Sequence, residues 1–357
     1  MTRLRPILLP LLVLAVALGV TWLVWNHEQQ TSQKELRSQF DFSLRDAVSR
    51  IDQRMAAYEQ MLRGVQGLFV ATGKMDRDSF HGYVGSLQLD ANFAGIQAIG
   101  VAERVPEARK NAHVEAMHRR GLSDYAILPE GHREIFAPVI HVEPDFDSNR
   151  ISLGFDPWTD PVRRLAMERA RDSGMPAISG KIPLAIMSET QPGFIMYLPI
   201  FAQGQPLDSV NARRTHLIGW VFAAISMRNL MAGLYGEQLP GLALAIYDDL
   251  EASADTLLYQ SVPPRDPHSH AAFSANEYLV VAGHTWMFSM STQDDFEVRY
   301  GRNAESFIAI AGIGLSLLLA LLVWLMVTSR ARAMRLATTM TKELRASEQR
   351  WNFALEG

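Results

Sequence analysis

Two uncharged apolar runs constrain this 357-residue chain more than anything else in it. The first, Ile7 to Trp25 (ILLPLLVLAVALGVTWLVW), is long enough to cross a hydrocarbon core of about 30 Å as a helix. The second, Phe307 to Thr328 (FIAIAGIGLSLLLALLVWLMVT), is longer still. Both carry tryptophan towards one end, where indole favours the bilayer interface. No small-x-small cleavage site follows the first run, and the chain passes from Asn26 directly into a helical pattern. The first run therefore reads as an anchor rather than a removed leader. Arg3 and Arg5 precede it, and Arg330, Arg332 and Arg335 follow the second run. Basic residues stay on the cytoplasmic side, so both termini are expected there, with residues 26–305 on the far side of the inner membrane.

A net charge of -4 gives no electrostatic reason to expect nucleic acid as a partner. With no cysteine, the chain has neither a disulfide framework nor a thiolate metal site.

The segment beyond the first run is patterned as a long helix. Leu36, Phe40, Leu44, Ala47, Ile51, Met55, Tyr58, Leu62, Val65 and Phe69 recur at steps of three or four, with charge opposite. Such a stripe either packs on its own domain or pairs with a second copy, and both uses fit at different heights along it. Helix is next expected over DRDSFHGYVGSL and again from Pro106 through His118. Strands are expected in FAGIQAIGVAERV, YAILP, IFAPVIHVEP, FIMYLPIF, LIGWVFAAIS, GLALAIYDD, TLLYQSV and EYLVVAGHTWMFSMS, with loops at 202–213 and 262–270. This mixture predicts an α+β fold with antiparallel sheets behind a long N-terminal stalk helix.

Catalytic constellations are thin. His113 and His118 are five apart, the wrong spacing for one helix face. Asp266, His268 and His270 alternate in DPHSH but read as a solvated loop, and Asp294, Asp295 and Glu297 as a polar turn. No phosphate loop, nucleophile elbow or zinc-protease helix is present, so no catalytic residue, cofactor or metal is expected.

The densest signal is DPWTDPVRRLAMERARDSGMPAISGKI, residues 156–182. Thr159 or Asp160 can cap a helix whose first turn holds Pro161, with Gly174 as its stop and Val162, Leu165, Ala166 and Ala170 as its buried face. Arg163 and Arg164 sit where the helix dipole disfavours cations by about 0.3–1 kcal/mol. They need either a nearby acid, Asp156 or Asp160, or a ligand anion, with Lys181 as a further cation close by in the chain.

Together with FAGIQAIGVAERV, IFAPVIHVEP and GFIMYLPIF, this stretch resembles the CHASE domain, the extracytoplasmic ligand-sensing module of bacterial receptors and plant cytokinin receptors. The resemblance spans roughly residues 70–230. It implies a stalk helix carrying two PAS-like subdomains, with a small-molecule ligand in the membrane-distal one. Arg164 matches the family's helix arginine, but Arg163, a donor, stands where the plant receptors carry an adenine-binding aspartate, an acceptor. Arg163 and Lys181 together tilt the expected ligand towards an anionic or carboxylate-bearing molecule. Ser179 matches a threonine-like position, and pocket positions on the next two strands fall at Ala185 and Tyr197. Phe155, Asp156, Trp158 and Lys181 join the candidate ligand site by proximity.

Finally, ASEQRWNFALEG resembles the opening of a cytoplasmic PAS domain. The expected organisation is a cytoplasmic N-terminus (1–6), a first span (7–25), a stalk (26–72), a periplasmic sensor (73–305), a second span (306–328), a juxtamembrane signalling helix (329–346) and a PAS start (347–357). The whole would be the sensory part of a homodimeric receptor whose output is a histidine kinase of a two-component system or a diguanylate cyclase making cyclic di-GMP. Two other readings stay open: an anchored module that senses through a periplasmic partner protein, and an anchored periplasmic enzyme.

Overall fold

The computed structural model describes residues 5–73, 77–186, 189–236, 239–263, 271–301 and 304–355. The chain divides into two compact units, Met1–Gln39 with Glu297–Gly357, and Phe40–Phe296. Helix α1, Arg5–Thr72, contributes to both.

The first unit is built on the two apolar runs. Both lie in helices long and apolar enough to cross a membrane, with mean hydropathies of 2.4 and 2.6 over their most apolar windows. They meet at small residues. Thr21 Oγ1 lies 3.4 Å from Ser316 Oγ, each hydroxyl also bonds its own helix four residues back, and a Cβ on Gly312 would collide with Thr21. Small residues allow such close approach between helices in lipid.

In the second unit, α1 buries Phe40, Leu44, Ala47, Ile51, Met55, Tyr58, Leu62 and Val65, the stripe read from the sequence, while Phe69 is half-buried. Helices α2 (Arg77–Leu87) and α3 (Lys110–Arg119) follow at the expected places. A six-stranded antiparallel sheet contains β1 (Ile96–Glu103), β2 (Val139–Glu143), β3 (Ala177–Ile178), β4 (Ile182–Ile186), β5 (Glu189–Phe201) and β6 (Leu217–Ser226). Its order is β2-β1-β6-β5-β3, with β4 continuing beyond β3 along the same edge of β5. Helix α4 (Pro161–Ser173) covers one face, and α5 (Met227–Tyr235) follows β6.

A four-stranded antiparallel sheet completes the unit: β7 (Leu242–Tyr247), β8 (Leu257–Gln260), β9 (Ser274–Val281) and β10 (His284–Thr292), in the order β8-β7-β10-β9. The run EYLVVAGHTWMFSMS is thus a hairpin. Its two-residue turn, Ala282–Gly283, takes positive φ at both positions, the geometry that matches strand twist. Phe273, between α1's Phe40 at 6.0 Å and Phe296 at 6.5 Å, ties this sheet to the long helix.

Three expectations fail locally. YAILP forms no strand, only an isolated bridge from Leu128 to Phe155, because its main-chain bonds go to the loop at Gly154 and Asp156. The 202–213 loop turns helical at Val210–His216, capped by Ser209. And α4 buries Ala166, Met167 and Ala170, leaving Val162 and Leu165 40% and 46% exposed. Alanines let the helix approach the sheet closely, and Trp220 Nε1 donates 3.0 Å to the Met167 carbonyl, which fixes that rotation. The Asp266, His268 and His270 motif lies outside the described residues.

Candidate functional site

The strand register assembles one wall of a cavity. Ala98 of β1 faces Ala224 of β6, which faces Ile195 of β5, and one step along Gly100, Phe222 and Tyr197 form the next row. Side chains alternate between sheet faces, so these rows share the face under α4, while Phe194 and Met196 point the other way. A cavity of about 400 Å³ opens here, walled by Ala98, Val139, Val142, Leu184, Ala185, Ile195, Tyr197, Phe222 and Ala224. Phe155, Pro157 and Arg163 close it from the loop and helix above, and Gln97, Asn149 and Ser152 add neutral polar groups.

The loop over the cavity is held by two aspartates. Asp156, fully buried, accepts from the Trp158 and Ala137 amides (3.0 and 2.9 Å) and from Arg133 Nε (2.8 Å). Arg133 also lies over the Phe136 ring, so Asp156 is neutralised from the far side of the loop rather than by Arg163 or Arg164. Asp160 caps α4, accepting from the Val162 and Arg163 amides at 2.8 and 3.2 Å, with Pro161 in the first turn, where no N–H is needed. Gly174 ends the helix in the left-handed region at φ 73°.

The candidate residues divide by position. Phe155, Arg163, Ala185 and Tyr197 line the cavity. Arg163 lies over the Phe155 ring, 5.0 Å from its centroid, and its Nε is 3.7 Å from Asp160. Tyr197 is buried, and burial pushes its phenol pKa well up. Asp156 and Trp158 stand behind the lining: Trp158 packs 5.5 Å from Trp220, with the Arg171 guanidinium over the Trp158 ring at 5.6 Å. Arg164 is exposed on α4 outside the lining. Ser179 is buried and bridges strands, its N donating to the Ile195 carbonyl and its Oγ accepting from the Ile195 amide. Lys181 points to the four-stranded sheet, its Nζ donating to the Ala254 carbonyl at 3.0 Å and its amide to Asp248 at 2.7 Å.

Sequence reading missed Gln97, Asn149, Ser152 and the far wall at Phe222. Alternation within LIGWVFAAIS carried the signal for Phe222 and Ala224. Nothing local marks Asn149 or Ser152, which a one-turn helix (Asp147–Arg150) and the turn after it bring in.

The neighbourhood of Lys181 joins the two sheets. Asp248 Oδ2 accepts from the Lys181 amide, and Oδ1 from Trp286 Nε1 (3.1 Å), with His284 Nδ1 at the same distance. The Ile178 amide and Arg169 donate to the carbonyls of the Ala282–Gly283 turn. Phe194, behind the cavity wall, meets Trp286 edge-on at 4.9 Å. Among the described residues no cluster of three or more histidine, aspartate or glutamate side chains is placed to hold a metal.

Residues 73–259, just over half of the chain, match the CHASE domain. The chain belongs to the CHASE-domain family. The cavity lies within the matched span, and apolar helices flank the CHASE domain on both sides. No curated protein matches the sequence. Solved structures similar to it include ligand-binding and sensory domains of receptors. An extracellular ligand-binding receptor from Desulfohalobium retbaense aligns at 12% identity and a TM-score of 0.42, over 71% of this chain and 40% of its own. The amino-acid chemoreceptor PctC ligand-binding domain of Pseudomonas aeruginosa, solved with GABA, aligns at 13% identity and 0.40, over 73% and 99%. The periplasmic sensory domain of Campylobacter jejuni Tlp1 aligns at 8% identity and 0.45, over 72% and 96%. The chain spans less than half of the Desulfohalobium receptor.

Proposed function

We propose that this chain is the sensing and membrane-crossing part of a two-pass inner-membrane receptor, and that its signal is a small molecule bound on the periplasmic side in the cavity beneath α4. The observation that carries the reading is that cavity, enclosed within the CHASE domain by Phe155, Arg163, Ala185 and Tyr197. In this reading the six-stranded and four-stranded sheets are the distal and proximal PAS-like subdomains. Ligand contact with Ile195 and Ala185 is felt through Ser179 and the adjoining Lys181 amide at Asp248, and through Phe194 at Trp286. The four-stranded sheet leads along the chain into the second apolar helix, α6 (Ala304–Leu355), and from there to a histidine kinase or cyclase output in a homodimer. A ligand moves such an equilibrium only by its difference in affinity for the two states.

Two measurements test this. A reporter fused in the 202–208 loop should be active only outside the cytosol, and cytosolic activity would overturn the topology. Compounds that raise the melting temperature of the full chain in nanodiscs should lose that effect in Ala224→Phe, which fills the cavity. Stabilisation that survives the filling would place binding elsewhere. The rival reading, sensing through a partner protein, has exposed Leu165, Met175 and Val280 beside an open groove on its side. It predicts that no small compound responds to Ala224→Phe.

A further inference from the structure

The charge inventory of the cavity narrows what can fill it. Arg163 is the one charged side chain among the described residues that line it. Its Nε is shut off from solvent without a hydrogen-bond partner. Buried donors in native proteins are nearly always paired, because an unpaired one forfeits its hydration. Asp160 caps two amides through Oδ1, and its Oδ2 forms an ion pair with Nε at 3.7 Å, too long for a hydrogen bond; Asp160 itself lies outside the lining. Phe155 takes the face of the guanidinium at 5.0 Å, which leaves the N–H edge for a planar acceptor.

We propose that the ligand is a compact monocarboxylate with an apolar body, its carboxylate held by Arg163; this rests on the cavity being the sensing site. A carboxylate matches the guanidinium fork with two parallel charge-assisted bonds. Tyr197 lines the same cavity as Arg163. At the other polar corner, Gln97 and Asn149 spend amide N–H groups on the carbonyls of Gly95, Gln97 and Pro144, so the anion's donors gather at the Arg163 end. The count stops at one charge. Lys181 is committed to Ala254 and Arg164 lies outside the lining, so a dianion would leave one charge uncompensated among Ala98, Val142, Leu184 and Phe222.

The test uses the full chain in nanodiscs, titrated by calorimetry with benzoate and isovalerate, their neutral amides, the dianion phthalate, and adenine. At least one monocarboxylate should bind, with its amide and the dianion at least tenfold weaker. Arg163→Gln should weaken it tenfold or more, Arg163→Lys less, and Arg164→Gln not at all. An amide that binds as well as its acid, or an Arg163→Gln variant of unchanged affinity, overturns the carboxylate assignment and leaves the sensing cavity standing. So does binding by adenine alone that Ala224→Phe abolishes. If no probe, acid or neutral, binds the wild-type chain, the carboxylate assignment and the sensing reading fall together.

Discussion

The six-stranded sheet is covered on both faces, whereas the four-stranded sheet keeps one face in water. In the first, β1, β2 and β6 are buried almost without a break, and α4 packs on one face. In the second, β7 alternates buried with half-buried residues, and β9 leaves Tyr278 and Val280 51% and 71% exposed. A sheet with one wet face has only one interior, and here Leu244, Ile246, Trp286, Phe288 and Met290 fill it. The doubly covered sheet has two interiors, so it can use one for stability and leave space in the other. The cavity lies beneath α4, while on the opposite face Phe194 meets Trp286 of the four-stranded sheet.

That division can be broken by experiment. Trp286, fully buried between Phe194 and Asp248, should be the costliest residue to truncate: Trp286→Ala should remove about 3–5 kcal/mol in denaturant melts. If the two sheets are one cooperative body, both should melt together, and early loss of the four-stranded sheet alone would show them to be independent. Asp248→Ala should cost less, about 1–3 kcal/mol, by orphaning the Lys181 amide and the Trp286 indole. It should leave ligand affinity near wild type while weakening output, and an unchanged output would remove the junction from the signalling path.

The next expected effect is confined to the flank of the six-stranded sheet. Burial, helped by Arg120, lowers the His113 pKa to about 4, with its Nε2 3.0 Å from Tyr125 and Glu103 at 3.6 Å. Burial pushes the Glu103 carboxyl the other way, above its ordinary value. For His113 the unfolded chain binds the proton more readily, so its stabilising contribution is complete above about pH 6.5 and is lost as pH falls towards about 4. The melting temperature should fall over that interval, with a shallower slope in His113→Gln. An identical slope in the variant would assign the acid sensitivity to other groups. Smallest of all, Val280→Ser on the wet face should change stability by no more than about 0.5 kcal/mol. A larger loss would mean that this face is covered in the assembled protein.

Much of this architecture is written in local pattern. The α1 stripe follows from steps of three and four, and LIGWVFAAIS matches β6 residue for residue. Asp160, Pro161 and Gly174 mark α4 because capping chemistry is local. What escaped the sequence depends on distant partners. Which face α4 buries is settled by Trp220 beneath Met167, and the fate of YAILP by a loop some thirty residues on. Asp156 looked like a neighbour for Arg163 until folding delivered Arg133 to it. The direction of Lys181 was equally illegible, since only the four-stranded sheet supplies Ala254 and Asp248.

The bond from position 181 to Asp248 is made by main-chain nitrogen, so that bond survives a change of side chain even where the Lys181 contact with Ala254 is lost. Its neighbour has less latitude: a methyl group on Gly180 would stand 3.1 Å from the same carboxylate and 3.2 Å from Val162, a tight fit against both. Proline at 181 should be the one residue that breaks the bond to Asp248, since it alone lacks the hydrogen, while a side chain at 180 can be admitted only if Asp248 and Val162 give way by a few tenths of an ångström.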